Sequence, residues 1–345
     1  METYYIGADV HCNNTDLAVE YQGQVIRRYS VPTDIRTLRQ VLDSVGGRQR
    51  MTFEEGPMAG WLYRNLRDRV EEVIVSDPRQ NRLIAASGDD KSDPIDAGKL
   101  AMLLRGGFVK PVYHPDDEHR VELKRWVGLY HNRVQEATRQ VNRLRAEARM
   151  YGLKIPAAVI TKAEKRSLWL STLPNRDLAE RMAVLCVGLD AVRDQTRAAR
   201  RRMMKLAHGH SIIRYWSELP GIGDIRAITF FAYLDTPYRF KTKSRLFKYC
   251  GVGLVRETSG KDRNGRPRPG RLKLNWYCNK RLKNIVMGAA ISAIRQNNNE
   301  FRRAYERMIG NGMLPGNARH AVARKLVTVM WGMWKNHSRW MPHLD

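Results

Sequence analysis

Acidic residues are scarce in this chain: 35 Asp and Glu stand against 61 Lys and Arg, leaving a formal charge of +26 over 345 residues. So large an excess calls for a polyanionic partner. Long apolar runs are also missing. The longest, such as Ile285–Ile294, are too short and interrupted to span a bilayer, so no membrane role is expected and nucleic acid becomes the default partner. Cysteine is sparse, and Cys12, Cys186, Cys250 and Cys278 form no Cys-x-x-Cys pair, which excludes zinc modules and a disulfide framework and fits a reducing compartment. The N-terminus has no basic start followed by an apolar core, so no secretory signal is read and a cytoplasmic location is expected. No Walker loop is seen, which argues against chemistry driven by ATP.

Hydrophobic residues make up 43% of the chain, enough to bury real cores, and the length suggests two or three domains. Three sections separate by pattern: 1–110, 111–211 and 212–345. In the first, Tyr4–Val10, Asp16–Tyr21 and Gln24–Val31 read as a meander of short strands with breaks at Asn13-Asn14 and Gly23. A helix over Asp34–Ser44, a strand at Arg50–Glu55, a helix over Trp61–Val70 and a strand at Glu72–Ser76 follow. Helices at Pro78–Ala86 and Pro94–Arg105 close the section. Three strands, then helix, strand, helix, strand, helix is the order of an α/β RNase H-like fold.

The middle section is helical. Apolar positions step by four and three through Leu123, Val127, Tyr130, Val134, Ala137, Val141, Leu144, Ala148 and Tyr151. They do so again through Leu178, Met182, Leu185, Leu189, Val192, Thr196, Ala199, Met203 and Leu206. Two such seams predict long coiled-coil helices that pair with each other or with another subunit, at least a dimer. Their outer faces are dense in Arg, as at Arg197, Arg200, Arg201, Arg202 and Lys205, which either solvate the helices or face nucleic acid.

The last section is mainly helical and opens with Leu219-Pro-Gly-Ile-Gly-Asp224. This is a helix-hairpin-helix pattern, in which Gly221 and Gly223 let backbone N–H groups approach a phosphate; the alternative is an ordinary helix connection with a glycine cap. Downstream lies the densest cationic stretch, including Lys241, Lys243, Arg256, Lys261, Arg263, Arg266, Arg268, Arg271 and Lys273, a phosphate-binding candidate. Within it, Glu257–Gly270 is rich in Gly, Pro and Arg and reads as a loop. Met330-Trp-Gly-Met-Trp334 reads as core packing of a final helix.

Polyanion binding alone does not require the carboxylates of the first section. Asp9 ends the opening strand, where a carboxylate costs desolvation unless a cation meets it. Glu54 and Glu55 end the strand before the Gly56-Pro57 break, and alternation lets only one of them share the Asp9 side of the sheet. Asp93 and Asp96 open a helix three residues apart, on one face; Asp93 before Pro94 also suits an N-cap. Four carboxylates meeting at one end of a sheet suit Mg²⁺, and two such ions about 4 Å apart can serve phosphoryl chemistry.

Taken together, Ile6-Gly-Ala-Asp-Val10, Phe53-Glu-Glu-Gly56, Lys91-Ser-Asp-Pro-Ile-Asp-Ala97, Leu219-Pro-Gly-Ile-Gly223, Arg239-Phe-Lys241 and Glu257-Thr-Ser-Gly-Lys261 resemble the DEDD-type insertion-sequence transposases related to the Piv invertase. The likeness covers nearly the whole chain. It implies a RuvC-like domain whose DEDD set is Asp9, Glu54, Asp93 and Asp96, with Glu55 an open alternative at the second position. It further implies a serine nucleophile at Ser259, beside Thr258, forming a covalent 5′-phosphoserine link to DNA. The implied partners are donor and target duplexes, a noncoding guide RNA, and further copies of the chain up to a tetramer, in a bacterial or archaeal cytoplasm. Two other readings stand beside it: a structure-selective nuclease that uses the carboxylates and water, and a basic nucleic-acid-binding protein without catalysis.

Overall fold

In the computed structural model, which describes residues 2–84, 93–257 and 270–341, the chain forms two compact units, Met1–Asp116 and Asp117–Asp345. The first is built on a five-stranded sheet. Alternating apolar residues form β1 (Thr3–Val10), β2 (Asn14–Tyr21) and β3 (Gln24–Pro32), consecutive antiparallel strands. Helix α1 (Ile35–Val45) follows, capped by Asp34, whose side chain accepts the Thr37 N–H at 2.9 Å and is held below the usual carboxylate range by Thr37. Then come β4 (Arg48–Glu54), α2 (Ala59–Leu66), β5 (Glu72–Ser76), α3 (Pro78–Ile84) and α4 (Asp93–Arg105). The expected order of mixed strands and helices is the one observed; the end of the helix expected at Pro78–Ala86 lies outside the described residues.

Strand order is β3-β2-β1-β4-β5, with β4 parallel to β1 and β5 parallel to β4. One face of the sheet buries Ile6, Ala8, Leu17, Met51 and Phe53 against Leu38 and Leu42 of α1 and Leu62 and Leu66 of α2. The other face receives α4 through Ala97, Leu100, Ala101 and Leu104, all buried. The approach on this face is close enough to need glycine. A Cβ added at Gly7 would lie 2.1 Å from the Ala97 carbonyl oxygen and 2.5 Å from the Ala101 nitrogen, both backbone atoms. The direction of α4 follows from its far end, where Arg105 meets the fully buried Glu20 of β2 at 3.6 Å. Glu20 pairs in register with Tyr5, near the start of β1. The start of α4 therefore lies toward the end of β1.

In the second unit, α5 (Glu118–Met150) and α8 (Arg176–Ala207) pair along their lengths. Leu144 and Ala148 cluster with Leu178 and Met182, whereas Leu123 and Val127 cluster with Met203 and Ala207. The pair is thus antiparallel and about 50 Å long at 1.5 Å per residue. Between the two clusters Arg133 bonds Gln195 across the pair at 3.1 Å, and Val134, Ala137 and Val141 border a groove of about 860 Å³ with Arg145, Arg193 and Arg197. Short helices α6 (Ala157–Thr161) and α7 (Arg166–Ser171) cover one end, tied by buried Arg166 to the Val159 carbonyl and to Asp190.

The remaining helices are α9 (Ser211–Ser217), α10 (Asp224–Leu234), α11 (Lys243–Tyr249), α12 (Lys280–Arg295), α13 (Glu300–Gly310) and α14 (Pro315–Asn336). They enclose Trp216, which packs edge-on against Phe230 and Trp334 and donates its indole N–H to the Met330 carbonyl at 2.9 Å. Met330, Trp331, Met333 and Trp334 are all buried, as the sequence pattern led us to expect. His131 of α5 bonds Thr229 of α10 at 2.9 Å, and burial together with Arg281 lowers its pKa to about 4. Between α11 and α12 runs an antiparallel hairpin of β6 (Leu254–Glu257) and β7 (Arg271–Leu274). No helix among the described residues is long and apolar enough to cross a membrane.

Gly7→Ala forces the α4 backbone off the sheet and should cost about 1–3 kcal/mol or more. Urea unfolding should show a lower midpoint, and an unchanged midpoint would refute the close contact.

Candidate active site

Strand geometry decides which carboxylates share a face. Ile6 and Ala8 of β1 point into the core under α1 and α2, so Gly7 and Asp9 face α4. In β4, Phe53 points into the same core and pairs in register with Ala8. Glu54, the next residue, therefore follows Asp9 onto the α4 face. Its carboxylate accepts a bond at 2.9 Å from Asn81 of α3, a buried side chain that also donates to Ser76 Oγ at 2.8 Å. Glu55 goes elsewhere: it meets His114 Nε2 at 2.6 Å, next to the Tyr63 ring of α2.

Asp9 lies 3.3 Å from His11 Nε2 and is about a quarter exposed, with an accessible carboxylate at the end of the strand. Asp93 is the first residue of α4, one turn before Ala97, and its side chain lies outside the described residues. One helical turn back from Ala97 and two strand residues on from Gly7 cover about the same distance, roughly 6 Å. Position 93 thus falls at the Asp9 end of the sheet. Asp96 is half exposed and sits 3.5 Å from Lys99 on its own helix. Among the described residues, no three His, Cys, Asp or Glu side chains form a group that could hold a metal ion.

Two residues of this region escaped the sequence reading. Asn81 positions Glu54 from a neighbouring helix, which no local pattern signals. Asp16 of β2 stands directly opposite Asp9 in register, on the same face, and is 9% exposed. A signal for Asp16 existed: the tight Asn13-Asn14 break sets the β1–β2 register, and alternation through Asp16, Ala18 and Glu20 aligns all three toward α4.

In the second unit, Lys241, Lys243, Arg256 and Lys273 are exposed on α11, its approach and the β6–β7 hairpin. The connection of that hairpin holds Thr258, Ser259, Lys261, Arg263, Arg266 and Arg268, which lie outside the described residues, as does the Arg271 side chain. The two glycines of the Leu219–Asp224 turn differ. Gly221 has a positive φ of 78°, and a Cβ there would lie 2.3 Å from the Ala289 carbonyl of α12; its N–H is taken by Gln296 at 3.2 Å. Gly223 begins α10 with open space where a Cβ would stand.

Two family models match the chain. A DEDD transposase model of the IS110 type covers residues 6–151, and the model described as Transposase IS116/IS110/IS902 family covers residues 213–306. The chain belongs to the IS110 family of DEDD-type transposases. It is accordingly a DNA transposase, an enzyme that cleaves and rejoins DNA strands. The first match takes in the five-stranded sheet except the first three residues of β1, and all of α5; the second takes in the Gly221 turn, the basic hairpin and α12. No curated protein matches the chain significantly.

For this IS110-family transposase, the facing pair Asp9 and Asp16 places like charges across a ladder, which is unfavourable without a cation. Asp16→Asn should therefore stabilise the metal-free protein by about 0.5–1 kcal/mol. Thermal melting in chelator would show a higher midpoint; a lower one would contradict the pairing.

Proposed function

We propose that this transposase cuts and rejoins DNA through a transient phosphoserine link, aided by a carboxylate-held Mg²⁺ site in its first unit. In this reading the first unit is an RNase H-like domain of the RuvC kind, and Asp9, Glu54, Asp93 and Asp96 are the DEDD set. The observation that carries it is the backbone contact of Gly7 with α4, which supports a shared site for the start of that helix, Asp9 and Glu54. The donor set suits a hard divalent ion. All the groups are oxygen ligands, and the largely buried Asp16 beside Asp9 has no cationic partner among the described residues. When bound, Mg²⁺ supplies the charge that steadies oxygens entering and leaving phosphorus. Engagement of Glu55 by His114 favours Glu54 as the second acid.

Ser259 supplies the nucleophile. Its oxygen gives up a proton and bonds to phosphorus, the P–O bond on the 3′ side breaks, and a 5′-phosphoserine and a free 3′-hydroxyl result. A 3′-hydroxyl from the exchanged strand then attacks that phosphorus, and the serine oxygen leaves and regains a proton. Each step conserves the phosphodiester energy, so no nucleotide cofactor is needed. Arg256, Lys261 and Arg263 flank the serine in sequence and stabilise the charge that builds on the phosphoryl oxygens.

The exposed cations of the hairpin grip phosphate, which DNA and RNA share and which carries no sequence. Choice of sequence is left to base pairing, here by a noncoding guide RNA. In the Leu219–Asp224 turn, the helix-hairpin-helix role falls to Gly223 and the open start of α10, while Gly221 serves packing. The seams of α5 and α8 are used against each other within the chain; the outer face of α8, where Val184 and Val187 are exposed, joins copies into a dimer, and two duplexes call for a tetramer. A cytoplasmic location goes with a DNA substrate.

The test uses element-end DNA, Mg²⁺ and candidate RNA, followed by denaturation. Protein covalently attached to DNA is expected for the wild type and none for Ser259→Ala. Asp9→Ala should lower strand cleavage by about a hundredfold or more while keeping salt-sensitive binding. Free nicks that survive Ser259→Ala would favour a nuclease, and full cleavage by Asp9→Ala would remove the carboxylate site.

A further inference from the structure

Phe, Tyr and Trp side chains usually bury most of their large area, and the core tryptophans here do so, with Trp216 fully enclosed and Trp334 5% exposed. Directly after β7, two aromatic residues break this habit: Trp276 is 76% exposed and Tyr277 is 75% exposed. They do not sit on a loose loop. Asn275 donates its backbone N–H to the Gly253 carbonyl at 2.9 Å, and its side-chain amide to the Tyr277 carbonyl at 2.6 Å. On the other side, Asn279 donates its N–H to the Tyr249 carbonyl at 2.9 Å and caps α12 by accepting the Leu282 N–H at 3.0 Å. Both ends of the segment are thus fastened, and the built turn leaves both rings largely exposed.

The surroundings are cationic. Lys280 donates to the Trp276 carbonyl at 2.9 Å and its ammonium lies 4.1 Å from the centre of the Trp276 ring. Lys248 and Lys273 are exposed on the neighbouring elements. A second copy of this chain, itself carrying +26, meets repulsion at such a surface. A flat, polarisable and anionic ligand fits it: a nucleobase on its own phosphate backbone.

We propose that Trp276 and Tyr277 form a stacking platform for unpaired nucleobases beside the basic hairpin. Cutting and exchanging strands between duplexes passes through nucleotides that have lost their partners, and an exposed ring offers each of them a surface whatever its sequence. Lys280 holds the Trp276 ring and draws the phosphate, and the pinned turn spares the cost of ordering the rings on binding. The inference rests on DNA as the substrate and not on the phosphoserine chemistry.

Binding measured by fluorescence anisotropy in chelator, where no cleavage occurs, separates the two. The probes are an oligo-dT 12-mer, the same strand with abasic sites, and a 12-base-pair duplex. Replacing both rings, Trp276→Ala with Tyr277→Ala, should weaken the dT strand by about tenfold or more. The duplex should lose less than about threefold, since no charge is removed. Affinity for the abasic strand should be low for the wild type and unchanged by the replacement. Trp276→Phe with Tyr277→Phe should restore binding to dT, and the melting temperature of all variants should match the wild type. Equal losses on strand and duplex, or no loss on the strand, would overturn the platform. So would a drop in oligomeric state of the DNA-free alanine variant, which would assign the rings to a subunit contact. Loss of cleavage chemistry in other variants leaves this binding result untouched.

Discussion

The absence of a side chain at Gly7 is the constraint on which the first unit depends. Because nothing projects from β1 at that point, the backbone of α4 rests against the strand, with Ala97 and Ala101 as the small residues that allow it. A helix so close has no freedom to slide, since contacts of this kind interlock main chain with main chain. The contact of exposed Arg105 with buried Glu20 then marks which way it runs. The placement of the carboxylates follows from this docking: the start of α4, the end of β1 and the end of β4 are brought to one side of one sheet.

Electrostatics divide the chain between its two units. The first pairs most of its acids with Arg or His but sets Asp9, 3.3 Å from His11, opposite Asp16 across a ladder, with Glu54 beside them on the parallel strand. Such an arrangement is poor as stability and sensible as a cation site. Glu55, by contrast, is held by His114, a basic residue 59 positions away in sequence. The second unit does the opposite. It gathers Lys and Arg on a hairpin and a short helix, with almost no acid among them, and so repels itself unless phosphate is present.

Much of this was legible in the residues. Hydrophobic alternation marked the meander, because each strand buries one face only, and steps of four and three marked α5 and α8, because each buries a stripe. The likeness to DEDD-type insertion-sequence transposases was legible because several short motifs recur in order, each tied to a turn or a strand end. What stayed hidden was long-range. Asn81 reaches Glu54 across 27 positions, and His114 reaches Glu55 across 59, with no periodicity to announce either. Gly221 invited a phosphate-binding role by its motif, yet its main-chain position is used to admit α12, a partner more than sixty residues away. The groove beside Val134 and Val141 was also unreadable, since an apolar position in a heptad looks the same whether it is fully covered or borders a groove.

The central claim is that α4, pressed onto Gly7, makes the end of β1 a divalent-cation site. Diffraction at the manganese edge from crystals grown with Mn²⁺ measures it most directly. The account predicts an anomalous peak about 2.1 Å from the Asp9 carboxylate, toward the start of α4. A map with no peak at Asp9, while Mn²⁺ occupies other positions on the same molecule, would contradict it.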